Sequence, residues 1–123
     1  GFENRDRILE KFTEFTFQLH ERGIHHLDHS RGNTLVVNRG EDMWDFYLVD
    51  LNRMRFETMD YQSRMDNFSR LGLTPDMIEI VSRTYAKLIV RDVDQVRADI
   101  TASCAAFDRK KQKKADLKRK LGR

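Results

Sequence analysis

The chain has 123 residues and a mass of 14.7 kDa, enough for one domain with a modest core. Its 39% apolar and 35% charged content describes a soluble globular protein with a heavily charged surface; no run approaches the roughly 18 apolar residues of a membrane span, and no signal-peptide pattern opens the chain. The net charge of +3 divides unevenly: residues 109–123 hold nine Lys or Arg against Asp116 alone, so the other 108 residues carry −5, which argues against a body-wide nucleic-acid surface.

From Arg5 to Arg22, Ile8, Leu9, Phe12, Phe15, Thr16 and Leu19 fall at helical spacing, and Gly23 is placed to stop the helix. Thr34-Leu35-Val36-Val37 and Asp45-Phe46-Tyr47-Leu48-Val49 are β-rich runs, and Asn38 to Asp42 between them predicts a hairpin turn. Tyr61, Met65, Phe68 and Leu71 predict a helix that stops at Gly72. Thr74-Pro75-Asp76 then supplies an N-cap, a proline at the first helical position and an acid in the first turn. The helix it opens is expected to bury Met77, Ile80, Val81, Tyr85 and Leu88. A last helix starts near Asp92, with Gln95 placed for a capping box and a stripe of Val93, Val96, Ile100, Cys104 and Phe107. Beyond Phe107 the stripe gives way to lysines, with Leu117 and Leu121 recurring, so that end is expected to project or fray. Residues 1–108 are therefore read as the folded body and 109–123 as a basic helix end or tail. The fold class expected is mainly α with a small β-hairpin, an α+β arrangement.

Two segments carry the chemistry. His26-Leu27-Asp28-His29-Ser30-Arg31-Gly32-Asn33 spells H-x-D-x-x-x-x-N, and Phe46-Tyr47-Leu48-Val49-Asp50-Leu51-Asn52 is an apolar strand that ends in an aspartate. Together they resemble the catalytic loop and metal-binding strand of the protein-kinase-like fold. In that resemblance Asp28 accepts a proton from, or orients, a substrate hydroxyl. Asn33 offers an amide oxygen to Mg²⁺, and Asp50 is the carboxylate between metal and phosphates. His26 is expected to brace the loop through a hydrogen bond to backbone near Asp50. The match alone is weak, because Asp and Asn serve turns equally well and Asp50 would also simply end a strand. The preceding helix, the short hairpin and the strand-terminal Asp strengthen it.

Glu21-Arg22-Gly23-Ile24, Gly32-Asn33-Thr34-Leu35 and Val49-Asp50-Leu51-Asn52-Arg53-Met54-Arg55-Phe56 narrow the resemblance to the lipopolysaccharide kinase family, over roughly residues 5–60. Those bacterial enzymes phosphorylate Kdo or heptose sugars of the inner core. The resemblance implies ATP and Mg²⁺ as cofactors, a lipopolysaccharide-core sugar as partner and a cytoplasmic setting, at the inner membrane if residues 109–123 contact anionic lipid. Asn52 where protein kinases place glycine, no Arg between His26 and Asp28, and Ser30 in place of a lysine argue against a protein substrate. Only 27 residues precede Asp28, too few for a nucleotide-covering lobe, and the phosphate-holding lysine has no counterpart here. The expectation is a C-lobe of a longer protein or a remnant, catalysing little alone.

Other readings stand beside this one. A non-catalytic, pseudokinase-like binding module uses the same scaffold, and a basic-tailed membrane or nucleic-acid adaptor is the third alternative. Aromatics do not interleave with the lysines, which weakens the nucleic-acid version. Arg53 and Arg55 suit a sugar phosphate or a lipid headgroup, and equally a solvated strand edge. His20, His25, His26 and His29 invite zinc, but no Cys or third-ligand pattern follows. Cys104 reads as core packing, and so do Trp44 and Phe46.

Overall fold

A computed structural model describes residues 2–122, apart from the side chains of Phe2, Glu3 and Leu51. Gly1 and Arg123, the latter being the last of the nine basic residues, lie outside the described residues. The elements run α1 (Phe2–Glu21), β1 (Ile24–His26), β2 (Thr34–Gly40), β3 (Met43–Leu48), β4 (Met54–Phe56), α2 (Tyr61–Asp66), α3 (Pro75–Ile89) and α4 (Val93–Lys120). Single 3-10 turns over Arg31–Asn33 and Leu51–Arg53 join the strands. The fold is mainly α with a small antiparallel β component, as expected.

Local chemistry explains most of the boundaries. Thr74 caps α3 by accepting from the Met77 amide, with Pro75 at the first helical position. Asp92 caps α4 through the Gln95 amide. The anticipated capping box is not reciprocal, because the Gln95 side chain donates forward to Asp99 instead. Gly23 ends α1 at φ +69, a backbone state that only glycine adopts without strain. The hairpin turn is tighter than expected, since β2 and β3 pair out to Gly40 and Met43 and leave Glu41 and Asp42 as the loop.

Three helices make the core. α1 and α4 both pack on α3, and Phe12, Phe68, Val81, Tyr85, Val96 and Ile100 meet between them. Phe15 stacks on Phe46 and Phe12 meets it edge-on, which fixes the inner face of the β2–β3 hairpin to α1. The opposite face of the hairpin, with Leu35 opposite Tyr47, stays exposed.

Four expectations need correction. α3 buries Ile78, Ile80, Val81, Ser82, Tyr85 and Ala86, leaving Met77 and Leu88 only half-buried. The helix from Tyr61 ends at Asp66, and Phe68 and Leu71 reach the core from successive turns closed by i to i+3 hydrogen bonds. The β1–β4 pair, Ile24 with Phe56 and His26 with Met54, was not anticipated. α1 also buries Thr13 and His20 as well as Thr16, polar residues outside any apolar stripe.

α4 is a single helix of 28 residues, roughly 42 Å long. Its inward stripe runs Val93, Val96, Ile100, Ser103 and Phe107 at alternating steps of three and four. The helix continues through residues 108 and 109 to Lys120 and, beyond Phe107, is largely exposed.

Candidate active site

The loop between β1 and β2 and the turn after β3 are stitched together by backbone. Leu27 N donates to Arg53 O (2.7 Å), Val49 N to Asn33 O (3.0 Å) and Arg53 N to Asp50 O (3.1 Å). These bonds, with the β1–β4 and β2–β3 ladders, bring the Asp28 loop and the Asp50 turn to one edge of the molecule although they lie 22 residues apart.

His26 is the buried brace. Its Nδ1 accepts from the Asp28 amide (3.0 Å), so the ring is the tautomer that carries hydrogen on Nε2, and Nε2 donates to Val49 O (2.8 Å). One imidazole thus ties the residue before Asp50 to Asp28 itself.

Asn33 closes the loop from the other end. Its Nδ2 donates both to Asp28 O (3.0 Å) and to Asp28 Oδ2 (2.9 Å). This fixes the Asp28 carboxylate and leaves its Oδ1, together with Asn33 Oδ1, without a hydrogen bond among the described residues. Asp50 is exposed, and its carboxylate likewise makes no hydrogen bond among the described residues. Its backbone sits at φ +61, a left-handed conformation that is uncommon for a residue with a side chain. A carboxylate and an amide oxygen held at one edge with free lone pairs are hard donors of the kind Mg²⁺ takes. Arg53 and Arg55 are exposed and enter no ion pair among the described residues.

A polar thread supports the loop from beneath, and no motif along the chain announces it. Asn67, just past α2, donates from Nδ2 to the His26 carbonyl (2.9 Å) and accepts on Oδ1 from His20 Nε2 (2.9 Å). His20 Nδ1 accepts from the Tyr85 hydroxyl (2.6 Å), which Arg64 reaches at 3.4 Å; Arg64 in turn pairs with Glu21 at 2.7 Å. The thread needs a neutral His20, and burial lowers that ring to about 4. Burial also raises the Tyr85 phenol to about 12, so it stays a donor. His29, stacked on Phe12 with Nε2 near Thr16 Oγ1 (3.1 Å), is lowered by burial to about 3, and its Nδ1 has no hydrogen-bond partner among the described residues.

The four histidines therefore serve four separate contacts, the fourth being His25 on Glu57 at 2.7 Å. Among the described residues no group of three or more His, Cys, Asp or Glu is gathered as a metal site. Cys104 is half-buried on the core side of α4, with its thiol raised by burial.

A family model described as the lipopolysaccharide kinase (Kdo/WaaP) family matches residues 2–91. No curated protein matches the chain, and no solved structure does. The matched span takes in every residue discussed so far at this edge, and it ends just past α3.

Proposed function

Because the chain belongs to the lipopolysaccharide kinase (Kdo/WaaP) family, we propose that it forms the catalytic C-lobe of an ATP-dependent kinase acting on a Kdo or heptose hydroxyl of the lipopolysaccharide inner core. The observation that carries the reading is the Asp28, Asn33 and Asp50 edge, joined by His26 and by backbone bonds across the two loops.

In this reading Asp28 works through Oδ1, the oxygen that Asn33 leaves free. The acceptor hydroxyl passes its proton to Asp28 as its oxygen bonds to the γ-phosphorus of ATP. The bond from that phosphorus to the β-bridging oxygen breaks, and ADP leaves. Asn33 Oδ1 and the Asp50 carboxylate are the groups that would hold Mg²⁺, which when bound would neutralise phosphate charge. Arg53 and Arg55, exposed after Asp50, are the nearest candidates for an acceptor phosphate. The exposed Leu35 and Tyr47 offer an apolar platform of the sort a purine ring covers. A lobe carrying the phosphate-holding lysine belongs to the enzyme as a whole, and these 123 residues contribute the other half.

The setting that fits is cytoplasmic, beside the inner membrane. No helix among the described residues is long and apolar enough to cross a membrane. The outer end of α4, with Arg109, Lys118, Arg119 and Lys120, suits peripheral contact with anionic lipid at about 1 kcal/mol per residue near the surface.

An NMR titration with Mg²⁺–ATP tests the site. Mg²⁺-dependent shifts centred on the amides of Asp28, Asn33 and Asp50, abolished by Asp50→Asn, are expected. If the longer polypeptide that includes the nucleotide lobe also shows no shifts there, and transfers no phosphate to Kdo or heptose acceptors, a non-catalytic module replaces this reading.

A further inference from the structure

α4 changes character along one face without breaking its helix. The stripe that buries Val96, Ile100 and Ser103 and half-buries Phe107 continues in phase to Lys110 and Lys114. A stripe that packs inward and then turns cationic should meet something negative, or swing free. Instead it meets a cleft. A cavity of about 800 Å³ lies between α4 and the loop that carries Asp28, with Lys110, Lys111, Lys113 and Lys114 on one wall. Leu27 and His29, the two neighbours of Asp28, stand on the other, beside Asn67.

The charge in this cleft is unbalanced. None of the four lysines makes an ion pair or hydrogen bond among the described residues. Lys110 and Lys114 sit at i and i+4, where like charges repel. Asp66 is the carboxylate in the lining, and it is already engaged by Ser103 (2.7 Å) and Gln62 (2.9 Å). Arg70 adds a further cation, resting 4.7 Å from the centre of the Phe107 ring. A concave, one-signed surface concentrates its field, and ammonium groups hold phosphate as point charges without demanding a fixed fork geometry. Ser63 and Ser69 in the same lining supply hydroxyls to a sugar. Phosphorus chemistry is favoured over a simple carboxylate because four or five cations converge where one carboxylate would satisfy one or two.

We propose that this cleft seats a phosphate group carried by the saccharide acceptor, apart from the hydroxyl that is phosphorylated. The inference rests on the kinase reading for its location, since the cleft is lined by Leu27 and His29, the two chain neighbours of Asp28, while the Asp28 carboxylate stands outside the lining. It also extends the working surface beyond residue 91, where the family match ends. The lysines of α4 would then set which acceptors this chain takes, while the Asp28 edge performs the transfer.

The test is an NMR titration of the 123-residue chain without Mg²⁺, using glucose 1,6-bisphosphate, inorganic pyrophosphate and, separately, phosphatidylcholine vesicles containing phosphatidylglycerol. The expected result is a saturable shift at Leu27, His29, Asn67 and residues 110–114, with the bisphosphorylated sugar bound more tightly than pyrophosphate. Lys110→Gln with Lys114→Gln should weaken it roughly tenfold or more, as expected for lost charge-assisted contacts. Lys118→Gln with Lys120→Gln, one to two turns further out, should leave it within about twofold by the same reasoning. The inference is overturned if the double cleft variant binds like the parent. It is also overturned if only vesicles act, with shifts led by residues 118–120. Failure of the kinase reading would show elsewhere, in silence of the longer polypeptide at Asn33 and Asp50 towards Mg²⁺–ATP and in absent phosphate transfer, so the two outcomes are distinguishable.

Discussion

Acidification from pH 7 to pH 5 should destabilise this fold by about 4 kcal/mol through two buried imidazoles. His20 is held neutral at the centre of the Tyr85–Asn67 thread, and burial lowers it to about 4. His29 is stacked on Phe12 and lowered by burial to about 3. In the unfolded chain both titrate near 6.5, so below that value the unfolded state binds about two more protons than the native one. Stability therefore rises with pH in this window: it is complete above about pH 7 and falls as the pH drops through 6.5. Each ring contributes about 1.4 kcal/mol per pH unit, or about 2 kcal/mol between 6.5 and 5, whatever the native value so long as it lies below 5. Urea unfolding at pH 7.5, 6 and 5 reads this directly, with a midpoint falling by about 2 to 3 M for a typical slope of a small domain. Nitrogen shifts of the two rings in the folded protein give the independent check. An unchanged midpoint, or imidazolium signals from His20 or His29 in folded protein at pH 6, would refute the reasoning.

Asp28→Asn should cut phosphoryl transfer by the two-lobed enzyme about 10²–10⁴-fold while the thermal midpoint of the chain stays in place; activity retained within threefold in a steady-state assay would remove Asp28 from the reaction. Gly23→Ala should cost about 2 to 3 kcal/mol in calorimetry, because φ is +69 and the new Cβ would lie 2.9 Å from the Glu57 carbonyl oxygen. A loss below about 0.5 kcal/mol, the size of an ordinary surface effect, would mean that the α1 to β1 turn gives way easily. Val90→Gly should stabilise by about 1 kcal/mol, seen as a rise of roughly 5 °C, since this exposed β-branched residue ends α3 in the left-handed region at φ +55. A fall in the midpoint would show that Val90 packs on something of value.

What could be read from the residues was what local chemistry decides. The caps at Thr74 and Asp92, the stop at Gly23 and the presence of a hairpin turn within residues 38–42 each depend on neighbours within a few positions. The bond from His26 to backbone beside Asp50 was expected from the resemblance and is found at Val49 O, whereas its second bond, from the Asp28 amide, was not anticipated. The β1–β4 pair was not: three-residue strands carry no periodicity, and their partners lie about 30 residues away. Nor was the thread of His20, Asn67 and Tyr85, whose members look like a surface histidine, a turn asparagine and a core tyrosine until three elements converge. Met65, Phe68 and Leu71 have helical spacing, yet Asn67 ends the helix between them with its amide committed to His26 and His20. The cleft requires α4 to lie across the Asp28 loop, a tertiary fact that no spacing along α4 encodes.

The left-handed Asp50 sets folding against use at a single position. Its carboxylate has no hydrogen bond to steer it among the described residues, so its direction is inherited from the backbone twist. Glycine would relieve that twist at no steric cost and remove the carboxylate with it. A search for more stable variants would therefore be drawn to the residue proposed here as a metal ligand, and the trade would be invisible to any screen that scores folding alone. Val90 carries the same strain with no chemistry proposed for it, which makes the pair a natural control: one improvable at no loss, the other improvable only by surrendering the proposed ligand.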